Sequence, residues 1–357
     1  MFIKEDELRL NKGDYAQRKF LPYEIKLKLA KRRIREWYEH WGGDVYLSFS
    51  GGLDSTVLLS LIRIVLGKDI PAVFCNTGLE FPEIVRFARS TKAFGAYEEI
   101  YPEKNFRQVI LEEGYPMISK ENAAKIKKLR HGNLSERYRN YLLNGDERGK
   151  FGMLPKKWQR YIDAPFDISD ACCEVMKKRP FRKYVKKTGR YPYIGITQDE
   201  SFRRAHQYAK TGCNVYDGTT IKSQPLGPWT KQDVLQYAYE HRGKEIVLPD
   251  KSTYIFDICS VYGEIIKDPQ GFYHLTGEQR TGCIYCGFGV TSEGEPNRYQ
   301  RLQVTHPKHY DLCMRSVQEG GLGMKRVLEY MEIPFETWES VGQMRMEFDK
   351  GGEMKAA

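Results

Sequence analysis

The sequence predicts an α/β protein whose core is a parallel sheet with helices on both faces. Residues 45–49 and 71–75 are short apolar runs of the kind that form buried strands. Residues 53–65 and 82–91, which follow these runs, repeat apolar side chains at helical spacing. Strands that alternate with helices in this way are joined by right-handed crossovers and therefore lie parallel.

The other elements follow from the same patterns. Residues 21–41 predict an amphipathic helix, because Ile25, Ile34 and Trp37 recur among many Lys and Arg. The glycine pair at 42–43 ends that pattern. Further strands are expected at 97–101 and 191–196, and further helices at 200–209, 231–241 and 307–331.

The length of 357 residues indicates about two domains, since domains average roughly 150 residues. We divide the chain into a helical segment at 1–42, an α/β domain at 43–240 with a basic helical insert at about 116–170, and a Cys-x-x-Cys region with a helical tail at 241–357.

Two features of the sequence bear on the cellular compartment of the protein. The longest apolar stretch, residues 57–66, is too short to span a bilayer and contains Arg63. Residues 1–14 are mixed and charged, which is unlike a signal peptide. We therefore expect a cytoplasmic protein with no membrane partner.

The charge balance favours partners that carry phosphate. The chain has 57 Lys and Arg against 47 Asp and Glu, a formal net charge of +10. Residues 120–160 contain twelve basic and four acidic residues among several aromatic ones, and residues 177–190 contain eight basic residues and no acid. The sequence therefore suggests that a nucleic acid, tRNA or DNA, binds through residues 120–190. A solvated helix face and a protein partner are the alternatives.

A glycine turn between a strand and a helix predicts a phosphate-binding loop. It reads Ser50-Gly51-Gly52-Leu53-Asp54-Ser55. The glycines allow a tight turn whose N–H groups face an anion, and the helix N-terminus adds partial positive charge. Ser50, Ser55 and Thr56 offer hydroxyl groups to phosphate oxygens. No Lys follows the glycines, so this is not the Walker A loop.

This loop resembles the PP-loop of the ATP pyrophosphatases, the adenine nucleotide α-hydrolase-like superfamily. Within that superfamily the chain is similar to the phosphoadenosine phosphosulfate (PAPS) reductase family, over residues 45–290. The other segments that carry the resemblance are Thr-Gly-Leu-Glu-Phe-Pro-Glu at 77–83, Cys172-Cys173 with Lys177 and Pro180, the strand–helix corner from Gly195 to Arg204, and Pro-Leu-x-x-Trp-x-x-x-Asp-Val at 225–234.

The resemblance implies a Rossmann-like sheet that binds ATP or a related adenine nucleotide at the carboxyl ends of its strands. It implies that Asp54 lies beside the phosphates, with Mg²⁺, and that Arg203 and Arg204 assist catalysis with it. The implied nucleotide-binding set is Ser48, Ser50, Gly51, Gly52, Asp54, Ser55, Thr56, Thr77, Gly78 and Gly195.

The cysteines indicate a metal or cluster site. Cys283 and Cys286 form a Cys-x-x-Cys pair, and Cys172-Cys173 lies about 110 residues earlier. Four thiolates suit zinc or an iron–sulfur cluster, and buried free thiols are the third possibility. Similarity to the cluster-bearing sulfonucleotide reductases implies a [4Fe–4S] cluster on these four residues, with Cys259 as an alternative ligand.

The chain departs from that family in two places. Assimilatory reductases carry a catalytic Cys in a Glu-Cys-Gly-x-His segment, which has no counterpart in these 357 residues. Thr197 stands where the Gly-x-Arg corner has its Arg. We therefore expect an enzyme of sulfur metabolism that couples ATP-dependent adenylation to sulfur transfer, with a sulfur-donor or redox partner protein. The alternatives are a sulfonucleotide reductase and a non-catalytic nucleotide-binding subunit of a nucleic-acid modification or defence complex.

Overall fold

The computed structural model describes residues 17–149, 151–200, 202–218 and 220–337. Its strands, in chain order, are β1 (Val45–Phe49), β2 (Ala72–Cys75), β3 (Tyr97–Ile100), β4 (Met117–Ile118), β5 (Tyr191–Ile194), β6 (Asn214–Val215), β7 (Lys222–Ser223), β8 (Glu245–Val247), β9 (Thr253–Ile255), β10 (Ile265–Lys267), β11 (Tyr273–Leu275) and β12 (Gly287–Phe288).

The helices are numbered in the same way. They are α1 (Tyr23–His40), α2 (Leu53–Leu66), α3 (Pro82–Ser90), α4 (Phe106–Glu113), α5 (Lys120–His131), α6 (Glu136–Asn144), α7 (Lys156–Gln159), α8 (Ala171–Cys173), α9 (Arg179–Thr188), α10 (Phe202–Thr211), α11 (Lys231–His241), α12 (Arg298–Thr305), α13 (Pro307–Met314) and α14 (Met324–Tyr330). A π-helical turn, Glu174–Lys178, joins α8 to α9.

A six-stranded sheet in the order β3-β2-β1-β5-β7-β6 forms the centre of the fold. Its pairs are parallel except for β6 with β7, which is antiparallel. β1 lies in the middle, where Ser48 is in register with Val73 on β2 and with Ile194 on β5. The predicted α/β class and parallel sheet are confirmed.

Burial explains why the first crossover forms where it does. All residues of β2 and all but Ser48 of β1 are buried. Helix α2 is buried from Ser55 through Arg63 and packs against both β1 and α1. A strand covered by helices on both faces has no polar face, and this is why the sequence shows apolar runs here rather than alternation.

The chain divides into two compact units, each made of two stretches of chain. Of the described residues, those at 17–102 and 179–281 form unit 1, and those at 103–178 and 282–337 form unit 2. This division differs from the predicted segments 1–42, 43–240 and 241–357. Composition along the chain marks the basic insert, but it does not indicate that residues 282–337 pack with that insert rather than with their own neighbours.

Unit 2 contains the predicted basic insert, which is helical, as expected, at α5, α6 and α7. The remaining helices of this unit are α4, α8 and the C-terminal α12 to α14, and the short strands β4 and β12 pair in parallel. The single helix predicted at 307–331 is two helices, because the chain turns at 315–323. Gly320 and Gly323 adopt positive φ there.

Unit 1 also contains residues 241–281, which belong to the predicted Cys-x-x-Cys region at 241–357. They form two antiparallel hairpins, β8–β9 and β10–β11, and the second packs against α11. Within the described ranges, none of the helices is both long enough and apolar enough to cross a membrane.

Candidate active site

The glycine turn lies directly between β1 and α2, at the carboxyl end of the central strand. β1 ends at Phe49 and α2 begins at Leu53, so residues 50–52 form the whole connection. In sheets of this type, ligands bind at the carboxyl ends of parallel strands. The structure therefore places the predicted phosphate loop at the position where the fold accommodates a nucleotide.

Two glycines allow close packing at this loop. Gly51 has φ +69°, and a Cβ there would lie 2.9 Å from Cγ2 of Ile84 on α3. Gly195 follows β5, and a Cβ on it would lie 2.9 Å from the backbone N and Cα of Ser55. The end of β5 is thus in contact with the first turn of α2, and only glycine fits there without displacing backbone.

The hydroxyl groups of the loop hydrogen-bond within it. The Ser55 hydroxyl donates to the Gly52 carbonyl oxygen at 2.9 Å and lies 3.0 Å from the Ser50 hydroxyl. Thr56 Oγ1 donates to the same carbonyl at 3.0 Å, and the Gly52 N–H donates to Ser50 Oγ at 3.2 Å. These bonds fix the shape of the turn; phosphate contacts from the same hydroxyls stay a prediction.

Tyr262, which the sequence analysis did not single out, holds the start of α2. The Leu53 N–H donates to the Tyr262 hydroxyl at 2.9 Å, and this hydroxyl lies 2.5 Å from Thr281 Oγ1. The Tyr262 oxygen therefore accepts from Leu53 while it shares a second hydrogen bond with Thr281. Tyr262 is buried, so this contact fixes the orientation of the first helical turn. No local motif marks a tyrosine that acts across 209 residues of sequence.

Asp54 lies at the centre of a group of charged side chains. Burial, and secondarily the Asp199 carboxylate, raise the pKa of Asp54 from 3.8 to about 6. The cations of Arg204, Lys231 and Arg280 act in the opposite direction. A second carboxylate and three cations therefore interact electrostatically with Asp54 in the first turn of α2, which is the composition expected around a polyphosphate and a divalent cation.

The partners of Asp54 come from separate elements. Arg204 lies on α10, and burial lowers its pKa. Lys231 begins α11; burial and the nearby Arg280 lower its pKa, and its backbone N–H donates to Asp199 Oδ2 at 2.6 Å. Arg280 lies just before the Cys-x-x-Cys segment. Of these partners, only Arg204 was predicted from the sequence. Lys231 carried the one available signal, its place at the start of a helix with a capping box.

Thr197 and Arg203 complete the predicted corner after β5. Thr197, which replaces the family's Arg, is buried, and its hydroxyl donates to Asp199 Oδ1 at 2.9 Å. It thereby positions the carboxylate that neighbours Asp54. Arg203 lies in α10, and its side chain is outside the described part of the chain. Lys222 on β7 is also buried. Burial lowers the pKa of Lys222, and the nearby Arg204 guanidinium lowers it further.

The Thr77-Gly78 turn follows β2, the neighbour of β1 in the sheet. The Thr77 N–H and hydroxyl both donate to the Glu80 carboxylate, at 3.0 and 2.8 Å. Gly78 has φ +71° and is exposed, with open space around its Cα. Because parallel strands end at the same edge, this turn and the glycine loop share one edge of the sheet. Ser48 lies half-buried within β1.

The four predicted ligand cysteines all belong to unit 2. Cys172 and Cys173 lie in α8, which packs against α4, and the Cys286 N–H donates to the Cys283 carbonyl at 3.1 Å. Burial is the main reason that the pKa of Cys172 is raised, and the thiols of Cys283, Cys173 and Cys286 raise it further. The Cys172 thiol is thus within electrostatic range of the other three.

These thiols do not form a site for a single ion. Across residues 17–149, 151–200, 202–218 and 220–337, no three Cys, His, Asp or Glu side chains come close enough together to hold one metal ion. Cys259 belongs to unit 1 instead, where burial raises its pKa and Glu83 is among its charged neighbours. The four thiols are therefore the right ligand type for a thiolate site and belong to one unit, but they do not lie as close together as the ligands of a single zinc ion must.

Comparison with known proteins identifies the family. The model of the phosphoadenosine phosphosulfate reductase domain matches residues 44–145 and 136–286. The chain belongs to this family. The match spans β1 to the Cys-x-x-Cys segment, so it contains both the glycine loop and the four cysteines, and the predicted resemblance is confirmed.

Individual relatives of this PAPS reductase family member are distant. An uncharacterized protein from Methanocaldococcus jannaschii is 28% identical over 271 residues, which cover 75% of this chain and 41% of that protein. An adenosine 5'-phosphosulfate reductase from Geobacillus thermodenitrificans is 26% identical over 68% of this chain and 83% of the reductase. The chain thus spans less than half the length of the first relative. The solved PAPS reductase from Candida auris, a phosphate complex, covers 65% of this chain and 88% of its own, with 16% identity and a TM-score of 0.35.

Proposed function

We propose that this chain is a PP-loop enzyme of sulfur metabolism that uses ATP to adenylate its substrate before sulfur is transferred to it. The observation that carries the proposal is the set of charges at the carboxyl end of β1, where Asp54 interacts electrostatically with Arg204, Lys231 and Arg280. Three cations at a glycine turn and a helix N-terminus are suited to a triphosphate. Family membership adds that the nucleotide is an adenine nucleotide.

The chemistry follows from this arrangement. An oxygen of the acceptor attacks the α-phosphorus of ATP, the bond to the β-phosphate breaks, and pyrophosphate leaves. Arg204, Lys231 and Arg280 neutralise the charge that develops on the phosphate oxygens, since phosphoryl transfer depends on positioning and electrostatic stabilisation. Asp54 and Asp199 are the carboxylates that would hold Mg²⁺, which neutralises further phosphate charge when bound. A sulfur nucleophile then displaces AMP from the activated acceptor.

Reduction of a sulfonucleotide is the second candidate, because adenosine 5'-phosphosulfate reductases are among the relatives. Against it, the sequence holds no Glu-Cys-Gly-x-His segment to supply the thiol nucleophile. The two reactions leave different products. Exchange of labelled pyrophosphate into ATP reports adenylation, whereas sulfite released from adenosine 5'-phosphosulfate or PAPS reports reduction.

Lys231→Met and Lys244→Met form a matched pair for this test. Lys231 lies beside Asp54, whereas Lys244 is an exposed lysine of the same unit. We expect pyrophosphate exchange in the wild type, a loss of about tenfold or more in Lys231→Met, and an unchanged rate in Lys244→Met. Sulfite release without exchange would replace the first candidate by the second.

We also propose that Cys172, Cys173, Cys283 and Cys286 hold a [4Fe–4S] cluster. Four cysteine thiols of one unit, with Cys172 within electrostatic range of the other three, are the ligand type that such a cluster would require. The cluster would supply a site where sulfur or electrons are held.

Iron and sulfide analysis of anaerobically purified protein tests the cluster. Cys286→Ser should lose most iron and the broad visible absorbance, because a serine replaces one of four thiolate ligands. Cys313→Ser is the control, since Cys313 is a fully buried thiol of the same unit outside the group. Equal iron in the two variants would contradict the assignment.

A further inference from the structure

Helix α9 (Arg179–Thr188) presents two contrasting faces. Its apolar face lies against the central sheet: Pro180 and Tyr184 are buried, and the Tyr184 ring lies 4.9 Å from that of Tyr46 on β1. Phe181 and Val185 pack against the same group. This face of α9 is therefore part of the hydrophobic core and is not available to a partner.

The opposite face carries cations, which we call the α9 stripe. All five of its side chains are exposed, and residues 177–190 contain no acid. The members of the stripe are Arg179, Arg182, Lys183, Lys186 and Lys187.

The geometry of the stripe follows from the helix. At 3.6 residues per turn, its five positions fall within an arc of about 140°. With a rise of 1.5 Å per residue, Arg179 and Lys187 are about 12 Å apart along the axis. One nucleic-acid strand advances about 3.4 Å per phosphate in a duplex, so the stripe matches roughly three to four phosphates.

Several cations of the basic insert, which the sequence also suggested as a nucleic-acid surface, form ion pairs within unit 2. Lys125 pairs with Glu121 at 2.9 Å, Lys127 pairs with Glu113, and Arg130 pairs with Asp167 at 3.0 Å. Arg130 also donates to the Ala164 carbonyl at 2.6 Å. Much of the positive charge of the insert therefore stabilises unit 2 itself.

A membrane surface does not suit the stripe. Helices that bind membranes insert an apolar face between the headgroups. The apolar face of α9 is buried against β1 and β2, where Tyr184 belongs to one core cluster with Tyr46 and Val73. The exposed face consists of charges alone, which suits a ligand of regularly spaced phosphates.

We propose that the α9 stripe binds the phosphate backbone of a nucleic acid. The stripe lies in unit 1, the unit that carries the glycine loop. The proposal goes beyond the proposed chemistry and does not depend on it, since binding is measured without ATP.

Two triple variants with the same loss of charge test the proposal. The stripe variant is Arg182→Gln, Lys183→Gln and Lys186→Gln. The control is Arg137→Gln, Lys156→Gln and Lys157→Gln, three exposed cations of the insert. Fluorescence anisotropy of labelled single-stranded RNA, single-stranded DNA and duplex DNA of equal length is followed from 50 to 300 mM KCl, and the order of affinities identifies the nucleic acid.

The wild type should lose affinity linearly in a plot of log K against log salt concentration. In the stripe variant, affinity should fall about tenfold or more, and the slope on a single strand should fall by about 2, since each lost phosphate contact removes about 0.7. The control variant should keep the affinity and the salt slope of the wild type. Salt-insensitive binding, equal losses in the two variants, or preference for polyglutamate over RNA of equal charge would overturn the proposal. Melting temperatures of both variants verify that they fold.

Discussion

The Tyr262 hydroxyl offers a way to perturb the glycine loop without touching any residue of the loop. In Tyr262→Phe the ring remains and only the hydroxyl is lost. The Leu53 N–H then loses its partner at 2.9 Å, and Thr281 Oγ1 loses its hydrogen-bond partner at 2.5 Å. The first turn of α2, which begins at Leu53, is free to rotate.

The magnitude follows from burial. Leu53 and Tyr262 are both buried, with 7% and 3% of their surfaces exposed. A buried donor without a partner costs about 1–3 kcal/mol. If the free energy required to restore the turn is drawn from nucleotide binding, ATP affinity falls about 5- to 150-fold. The melting temperature should fall by only a few degrees.

Tyr254→Phe is the matched control. The Tyr254 hydroxyl donates to Ser60 Oγ at 2.9 Å, so this change removes a buried hydrogen bond of the same length from the middle of α2. Both variants should lose similar stability in thermal unfolding. Isothermal titration with ATP should show weakened binding in Tyr262→Phe alone. Equal ATP affinities would refute the inference that Tyr262 orients the loop.

Two other predictions concern the same site. Because the folded-state pKa of Asp54 is raised, its stabilising contribution is present below about pH 4 and is lost as the pH rises through about 6. Asp54→Asn should therefore match the wild type at pH 4 and exceed its stability by about 2–3 kcal/mol at pH 8, although turnover is lost. Thermal unfolding from pH 4 to 8 measures this, and a variant less stable at pH 8 would contradict it. Gly195→Ala should weaken nucleotide binding and cost about 1–3 kcal/mol, because its Cβ meets Ser55 backbone at 2.9 Å. Gly294→Ala, which has open space around it, is the control, and equal unfolding midpoints would contradict the packing argument.

Local sequence patterns were sufficient to predict the first strands of the sheet and the glycine loop. β1, β2, β3 and α2 lie within one or two residues of their predicted bounds, because a buried strand and its crossover helix are each specified by a continuous run of residues. The glycine turn was recognisable for the same reason, since its whole sequence signature lies within six residues.

The charged neighbours of Asp54 could not be predicted from local sequence patterns. Asp199, Lys231 and Arg280 reach Asp54 only because β5, α11 and the segment after β11 are brought to one end of the sheet. Apart from the position of Lys231 at the start of a helix, nothing in their own neighbourhoods distinguishes them from surface residues. The interruption of the C-terminal helix, by contrast, had a visible signal in the Gly-Gly-Leu-Gly run at 320–323.

The discontinuous units have a consequence for synthesis on the ribosome. β1 emerges early, but its neighbour β5 follows the whole of residues 103–178. At about 5–20 residues per second, these roughly 80 residues delay completion of the sheet by about 4–16 s. During that interval one side of β1 exposes N–H and C=O groups that can pair with another chain. A nascent chain paused before residue 191 would therefore depend on chaperones to keep this strand from pairing with the wrong partner.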